Sequence, residues 1–294
     1  MVIANEFEYR RPTTLPEATK YLAEHPGSVR VLAGGTDLVA ALRDDAIAPD
    51  LVVDIKAIPD LNEIRLDGDT LHIGTLVTFT EIIESDLVAE HAPLLAEMAE
   101  TVASPGIRNR ATMVGNICSA VPSCDAGPVL LALDTTVHLT GPNGERSVDI
   151  NDWFVGLRKT ARTDDEVVTH LTIKLRKHSG VYVKLMRYAG EDLAQAAVGI
   201  VTYPDNTYKV TFGAVAPTPI RSSRIEETLS GKELSDELVA EVRAMVPDEI
   251  SPITDIRATA EYRTHVTAVA LDRGLWAARG RLRGDGPAYG TRLI

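Results

Sequence analysis

Cysteine is nearly missing from this chain. The two residues present among 294, Cys118 and Cys124, are too few to ligate zinc or an iron–sulfur cluster unaided. The seven histidines (His25, His72, His91, His138, His170, His178 and His265) lack the i, i+4 spacing of a helical metal site, so no metal ligands are assigned. No stretch approaches the roughly 18 to 20 apolar residues that span a bilayer. The opening Met1-Val2-Ile3-Ala4-Asn5-Glu6-Phe7-Glu8 has neither the basic start nor the apolar centre of a secretory leader, which places the protein in the cytoplasm. Clustered basic charge is also scarce. A net charge of −12 argues against nucleic acid as a partner, and the one basic run, Arg279-Gly280-Arg281-Leu282-Arg283, reads as a solvated tail.

Common site signatures are missing as well. There is no G-x-G-x-x-G fingerprint, and Gly231-Lys232 has Glu226 where a P-loop needs its first glycine. No G-x-S-x-G nucleophile elbow occurs. A Rossmann site, a P-loop site and hydrolase chemistry are therefore disfavoured.

Two glycine-bearing segments are present instead. Val31-Leu32-Ala33-Gly34-Gly35-Thr36-Asp37-Leu38 follows a strand-like stretch and leads into an amphipathic one. Paired glycines there permit positive φ and leave backbone amides accessible, while a helix start adds N–H groups and a positive dipole end. The second segment, read as a loop, runs from Thr112 through Gly115, Asn116 and Ser119 to Asp125 and Pro128. Together they suggest a pyrophosphate held from both sides, with Thr36, Thr112, Asn116 and Ser119 as donors. Asp37 and Asp125 supply acceptors. A carboxylate facing a diphosphate would be repelled, so Asp125 is expected to face a ribose, ribityl hydroxyl or ring N–H. Cys118 and Cys124 read as packed thiols.

Patterning predicts helices over 15–24, 37–46, 80–85, 93–102 and 129–133, strands over 29–33, 51–55 and 136–140, and a hairpin over 63–74. After Glu166 the chain turns β-rich (167–175, 181–187, 196–203, 208–216) and then helical (222–230, 235–246, 257–278). Tyr262, Val266, Val269 and Trp276 suggest the core face of the last helix. Strands and helices do not alternate strictly, so the fold class is α+β. A domain boundary falls near residue 177, and residues 284–294 read as a tail.

The segments A-G-G-T-D at 33–37, I-R-N-R-A-T-M-V-G-N-I at 107–117 and S-A-V-P-S-C-D at 119–125, with L-L-A-L-D at 130–134, resemble the flavoprotein (medium) subunit of molybdenum hydroxylases. This is the xanthine dehydrogenase and aerobic carbon monoxide dehydrogenase group. The resemblance continues through Tyr182 to Arg187, Gly213 to Pro219 and Asp255 to Arg263. It implies a two-lobed FAD-binding domain of the vanillyl-alcohol-oxidase type (1–177, lobes about 1–56 and 57–177), then a smaller α+β domain (178–283). It also implies that Leu32, Ala33, Gly34, Gly35, Thr36 and Asp37, with Thr112, Val114, Gly115, Asn116 and Ser119, serve a non-covalent FAD. Val102 and Asp125 contact the cofactor, Val168 lines the isoalloxazine pocket and Lys184 lies close to the flavin. Partners would be a molybdopterin-binding large subunit and a [2Fe-2S] small subunit, assembled as a dimer of heterotrimers, with the flavin relaying electrons to NAD, a quinone or oxygen.

Two departures stand out. Val114 replaces a glycine usual in relatives, so that residue 114 either adopts negative φ or shifts the loop amides by a fraction of a bond length, and Leu193 follows Asp192 where many relatives carry an aromatic, which puts flavin-ring contact there in doubt. With two cysteines, the four-cysteine cluster loop of some relatives is excluded. The alternatives are a stand-alone flavin oxidase of the same fold and a non-catalytic nucleotide-binding scaffold.

Overall fold

The computed structural model describes residues 3–188 and 191–294. Met1 and Val2, which begin the segment read as leader-free, lie outside the described residues. Near the N-terminus, β1 (Glu8–Arg10), α1 (Leu15–Glu24), β2 (Val29–Leu32), α2 (Thr36–Arg43) and β3 (Leu51–Asp54) build a parallel sheet in the order β1-β3-β2. Thr14 caps α1 by accepting from Glu17 N, and Pro16 sits in its first turn, where a missing N–H costs nothing. The helix buries Ala18, Thr19 and Leu22. β1 escaped the sequence reading because Glu-Tyr-Arg is exposed throughout and shows no apolar alternation.

The next unit opens with the hairpin of β4 (Ile64–Asp67) and β5 (Thr70–Gly74). Six helices follow: α3 (Phe79–Glu84), α4 (Asp86–His91), α5 (Pro93–Glu100), α6 (Pro105–Arg108), α7 (Met113–Ser119) and α8 (Ala126–Ala132). Then come β6 (Thr136–Gly141), β7 (Gly144–Asp149), β8 (Phe154–Gly156), β9 (Lys159–Thr160) and β10 (Val167–Lys174), giving an antiparallel sheet β4-β5-β10-β6-β7 with β8 and β9 paired separately. The expectation of a loop over residues 112–128 is corrected here. Thr112 Oγ1 accepts from Gly115 N at 3.0 Å and starts α7, which ends where Ala120 turns left-handed at φ 45°. α4 and α6 were missed because one turn or so of helix carries no readable apolar stripe; α4 buries Val88 alone.

The third unit is the antiparallel sheet β11 (Ser179–Leu185), β12 (Ala196–Thr202), β13 (Tyr208–Gly213) and β14 (Ile220–Arg221), followed by α9 (Ser223–Leu229), α10 (Asp236–Glu249) and α11 (Ala260–Arg283). Every residue of β12 is buried, because the sheet is covered on both faces. Tyr182, Ala197 and Val201 join the core under α5 and α8, while Val181, Val183, Val198 and Ile200 join the core under α11.

The core face expected for the last helix needs correction. Val266 is buried, but Tyr262 and Trp276 are 46% and 38% exposed. The buried stripe runs through Arg263, Val266, Thr267, Ala270, Leu271, Gly274, Leu275 and Ala278, which follows the 3.6-residue period more closely than the aromatic positions do. The basic run at 279–283 is likewise no solvated tail. It completes α11, and Arg281 Nη2 pairs with Glu97 Oε2 at 2.7 Å, both side chains about 5% exposed or less. Arg281 also binds Pro287 O and Ala288 O, so the last residues are strapped back over the domain. Among the described residues, no helix is long and apolar enough to cross a membrane.

One face of the second sheet carries an imidazole ladder. His72, His170 and His138, from β5, β10 and β6, stack with centroids 5.6 and 4.2 Å apart. Burial, reinforced by the neighbouring imidazoles and Arg65, pulls His170 down to about 4, and burial lowers His72 and His138 in the same sense. Unfolded histidine titrates near 6.5, so between pH 6.5 and 4 the unfolded chain binds more protons and stability falls as pH drops. In urea unfolding, His170→Gln should lose less stability than the parent chain between pH 6.5 and 4; an unaltered slope would place its source elsewhere.

Candidate functional site

A cavity of about 510 Å³ opens between the first two units and is closed in part by β11. Of the residues singled out by sequence, Ala33, Gly34, Gly35, Thr36 and Asp37 line it together with Val102, Thr112, Val114, Gly115, Asn116, Ser119, Asp125, Val168 and Lys184. Leu32 does not; its side chain lies beneath Gly35.

The two glycines of the first segment do different work. Gly35 takes φ +80° and caps α2 with no side-chain acceptor, unlike α1, α3, α7 and α11, which Thr14, Thr78, Thr112 and Thr259 cap. The opening amides of α2 therefore keep donor capacity for a ligand. Gly34 has no positive φ. It is glycine because a Cβ would stand 2.0 Å from the Arg110 carbonyl oxygen, so the expectation of positive φ holds for Gly35 alone.

Of the expected cofactor donors, Ser119 spends its hydroxyl proton within the chain, while Thr112 and Asn116 are engaged there through their acceptor oxygens. Thr112 Oγ1 caps Gly115, and a Cβ at Gly115 would approach that oxygen to 2.7 Å. Asn116 Oδ1 accepts from Ala126 N at 3.0 Å, and Ser119 Oγ donates to Asp37 Oδ2 at 2.5 Å, tying the two glycine segments together. Val114 adopts helical, negative φ inside α7 and is buried, so its side chain is accommodated without strain.

Asp125 lines the cavity and has partners within the chain. Its Oδ1 accepts from Tyr182 Oη at 2.8 Å and its Oδ2 from Lys184 Nζ at 2.9 Å, so the chain itself fixes the position of the carboxylate. Burial raises the Asp125 pKa against the opposing pull of Lys184 and Tyr182. Lys184 also donates to Thr101 O at 2.8 Å, and its side chain is 1% exposed. Tyr182 was missed by sequence reasoning, although it stands two residues from Lys184 on β11 and so projects from the same face. Leu193, singled out by its departure from relatives, also lines the cavity, as do Arg158 and Arg162, which carry no local signal that would have found them. Glu166 is a further lining residue: burial would raise its carboxyl, but hydrogen bonds from Arg146 and Thr163 outweigh this and hold it down to about 2. Burial pushes the Cys118 and Cys124 thiols up to about 11 and 12, which keeps both protonated and unreactive. Among the described residues, no group of three or more metal-ligating side chains gathers.

Residues 5–173 match the family described as the FAD binding domain in molybdopterin dehydrogenase. The chain belongs to this family. Residues 181–278 match the CO dehydrogenase flavoprotein C-terminal domain. The glyceraldehyde dehydrogenase medium chain of Sulfolobus acidocaldarius is 33% identical over 90% of this chain and 95% of that one. The xanthine dehydrogenase FAD-binding subunit of Escherichia coli O157:H7 is 31% identical over 94% and 98%. Carbon monoxide dehydrogenase from Hydrogenophaga pseudoflava, solved in a form lacking the Mo-pyranopterin moiety of the molybdenum cofactor, superposes with a TM-score of 0.92 at 31% identity, covering 96% of this chain and 99% of that chain. The chain is thus an oxidoreductase subunit of the FAD-binding, α+β type, and the cavity suits that cofactor. Uncapped amides and arginines meet the needs of a diphosphate, while Val102, Val114 and Val168 offer apolar surface to a flat ring system.

Because Asp125 and Lys184 are both buried, removing one partner should cost more than removing both. Lys184→Met should lower the unfolding free energy by about 3–5 kcal/mol, and the double variant Asp125→Leu with Lys184→Met should recover much of that in urea titrations. Additive losses would show that the pair is not coupled. Gly34→Ala and Gly35→Ala should both lower the thermal unfolding temperature, the first through the Arg110 carbonyl and the second through strain at φ +80° and contact with Leu32, and Gly35→Ala should also lower flavin content measured below its unfolding transition.

Proposed function

We propose that this FAD-binding subunit relays electrons from a [2Fe-2S] partner to an external acceptor, NAD, a quinone or oxygen, within a complex that also holds a molybdopterin-binding large subunit. The observation that carries the reading is the convergence of both glycine segments and Lys184 on one cavity in a chain of this family. Bound FAD supplies the ability to accept electrons singly and release them in pairs. The chain's own part is to bind, orient and set the electrostatic surroundings. The α2 amides and Thr36 would hold the diphosphate, Val102, Val114 and Val168 would pack the ring system, and Lys184, fixed by Asp125 and Thr101, would place positive charge at the wall. Attachment is non-covalent: the first segment holds neither histidine nor cysteine, and Cys118, which lines the cavity, stays a neutral thiol.

We further propose the division into an FAD-binding domain at 1–177, a C-terminal domain at 178–283 and a terminal segment at 284–294, supported by family matches over 5–173 and 181–278. A dimer of heterotrimers and a cytoplasmic location complete the reading; the two unpaired cysteines accord with a reducing compartment.

The test uses the intact complex reduced with dithionite and freed of excess reductant. Mixed with each acceptor, the complex containing FAD should reoxidise its clusters, whereas the complex stripped of FAD should reoxidise them at a rate near background. Equal rates would mean that electrons leave by another route.

A further inference from the structure

The last turn of α11 carries a charge that the chain leaves unanswered. Arg279 is 8% exposed and its Nε has no partner; among the described residues its guanidinium makes no hydrogen bond or ion pair. Its neighbour Arg281 is also buried but is held by Glu97, Gly180 O and Pro287 O. Guanidinium does not shed its proton in proteins, so Arg279 keeps a full charge whose Nε is cut off from solvent without an acceptor.

Arg279 faces an open groove of about 380 Å³. Trp276, Arg279 and Arg283 form one wall, at the spacings that align side chains along a helix face. Asp285, Gly286 and Pro287 form the other. This second wall is fixed, because Gly286 packs so tightly that a Cβ there would lie 2.2 Å from Arg281 N. Tyr208, beside Thr202, lies within electrostatic reach of Arg279, Arg283 and Glu233. Asp285 forms no ion pair with either arginine among the described residues. Helix C-terminal carbonyls disfavour an anion, but Gly284 N and Asp285 N already donate to Gly280 O, and Gly284 N to Arg281 O as well.

We propose that this groove binds a small oxyanion of the phosphate class, with Arg279 and Arg283 as charged donors and Trp276 as the apolar wall. Its lining shares no residue with the FAD cavity, so the proposal stands apart from the electron-relay reading. The geometry suits either free phosphate or the phosphate of a nucleotide whose base could stack on Trp276.

The chain's two tryptophans make the test local. Trp153 is fully buried and donates to Ile117 O, while Trp276 is in the groove. In the FAD-loaded chain labelled with 5-fluorotryptophan, inorganic phosphate added at constant ionic strength should shift the Trp276 fluorine resonance saturably and leave Trp153 unmoved. Arg283→Gln, at an exposed position, should weaken binding roughly tenfold or more. Arg279→Met should abolish the response. AMP binding more tightly than phosphate identifies a nucleotide as the source; equal affinity identifies free phosphate. Absence of a saturable Trp276 shift, or an undiminished shift in Arg283→Gln or Arg279→Met, would overturn the proposal.

Discussion

A carboxylate removed from water must be given donors, and Asp125 receives both of its donors from β11, a strand of the third sheet. Tyr182 and Lys184 stand two residues apart on that strand, so extended backbone geometry presents them together to the start of α8. Lys184 then reaches Thr101 O beyond the end of α5. One buried polar cluster therefore ties three elements that sequence separates widely. Its energy is favourable only while all its members are present, because each partner alone would be a desolvated charge or an unpaired hydroxyl. The cavity wall depends on that cluster, since Asp125 and Lys184 both line it.

The same sheet explains why the C-terminal half does not pack as a separate body. β12 is buried on both faces, sharing one core with α5 and α8 and the other with α11. Gly274 permits the close approach of α11, where a Cβ would come within 2.8 Å of Ile200 Cδ1. Glu97 and Arg281 repeat the device used at Asp125: a buried ion pair joins α5 to the end of α11, and the terminal segment folds over it. The chain thus uses apolar burial for cohesion and a few paired charges to set which elements meet.

Most elements were legible in the residues. Capping threonines, prolines in first turns and the glycine turn at Asp67-Gly68-Asp69 act over a few residues, so α1, β4 and β5 were placed within a residue or so of their ends. Short elements such as β1, α4 and α6 were not, because they bury too little to leave a pattern. In α11 the aromatics misled: Tyr262 and Trp276 are large and apolar, but the helix period carries them off the buried stripe, and the basic run after them continues the helix until Gly284.

The sequence by itself determined the α+β class, most of the elements, the family and the two glycine segments, since these rest on local propensity and on motifs whose order survives in the linear chain. Tertiary structure alone decided which groups those segments leave available. Gly34 answers to Arg110, Ser119 to Asp37, Asn116 to Ala126, and Asp125 to Tyr182 and Lys184. Each partner but Tyr182 and Lys184 belongs to the first 126 residues, yet none is adjacent in sequence. A hydrogen-bonding side chain spends its capacity on whatever the packing brings within about 3 Å, and that distance is set by the folding of remote segments onto one another.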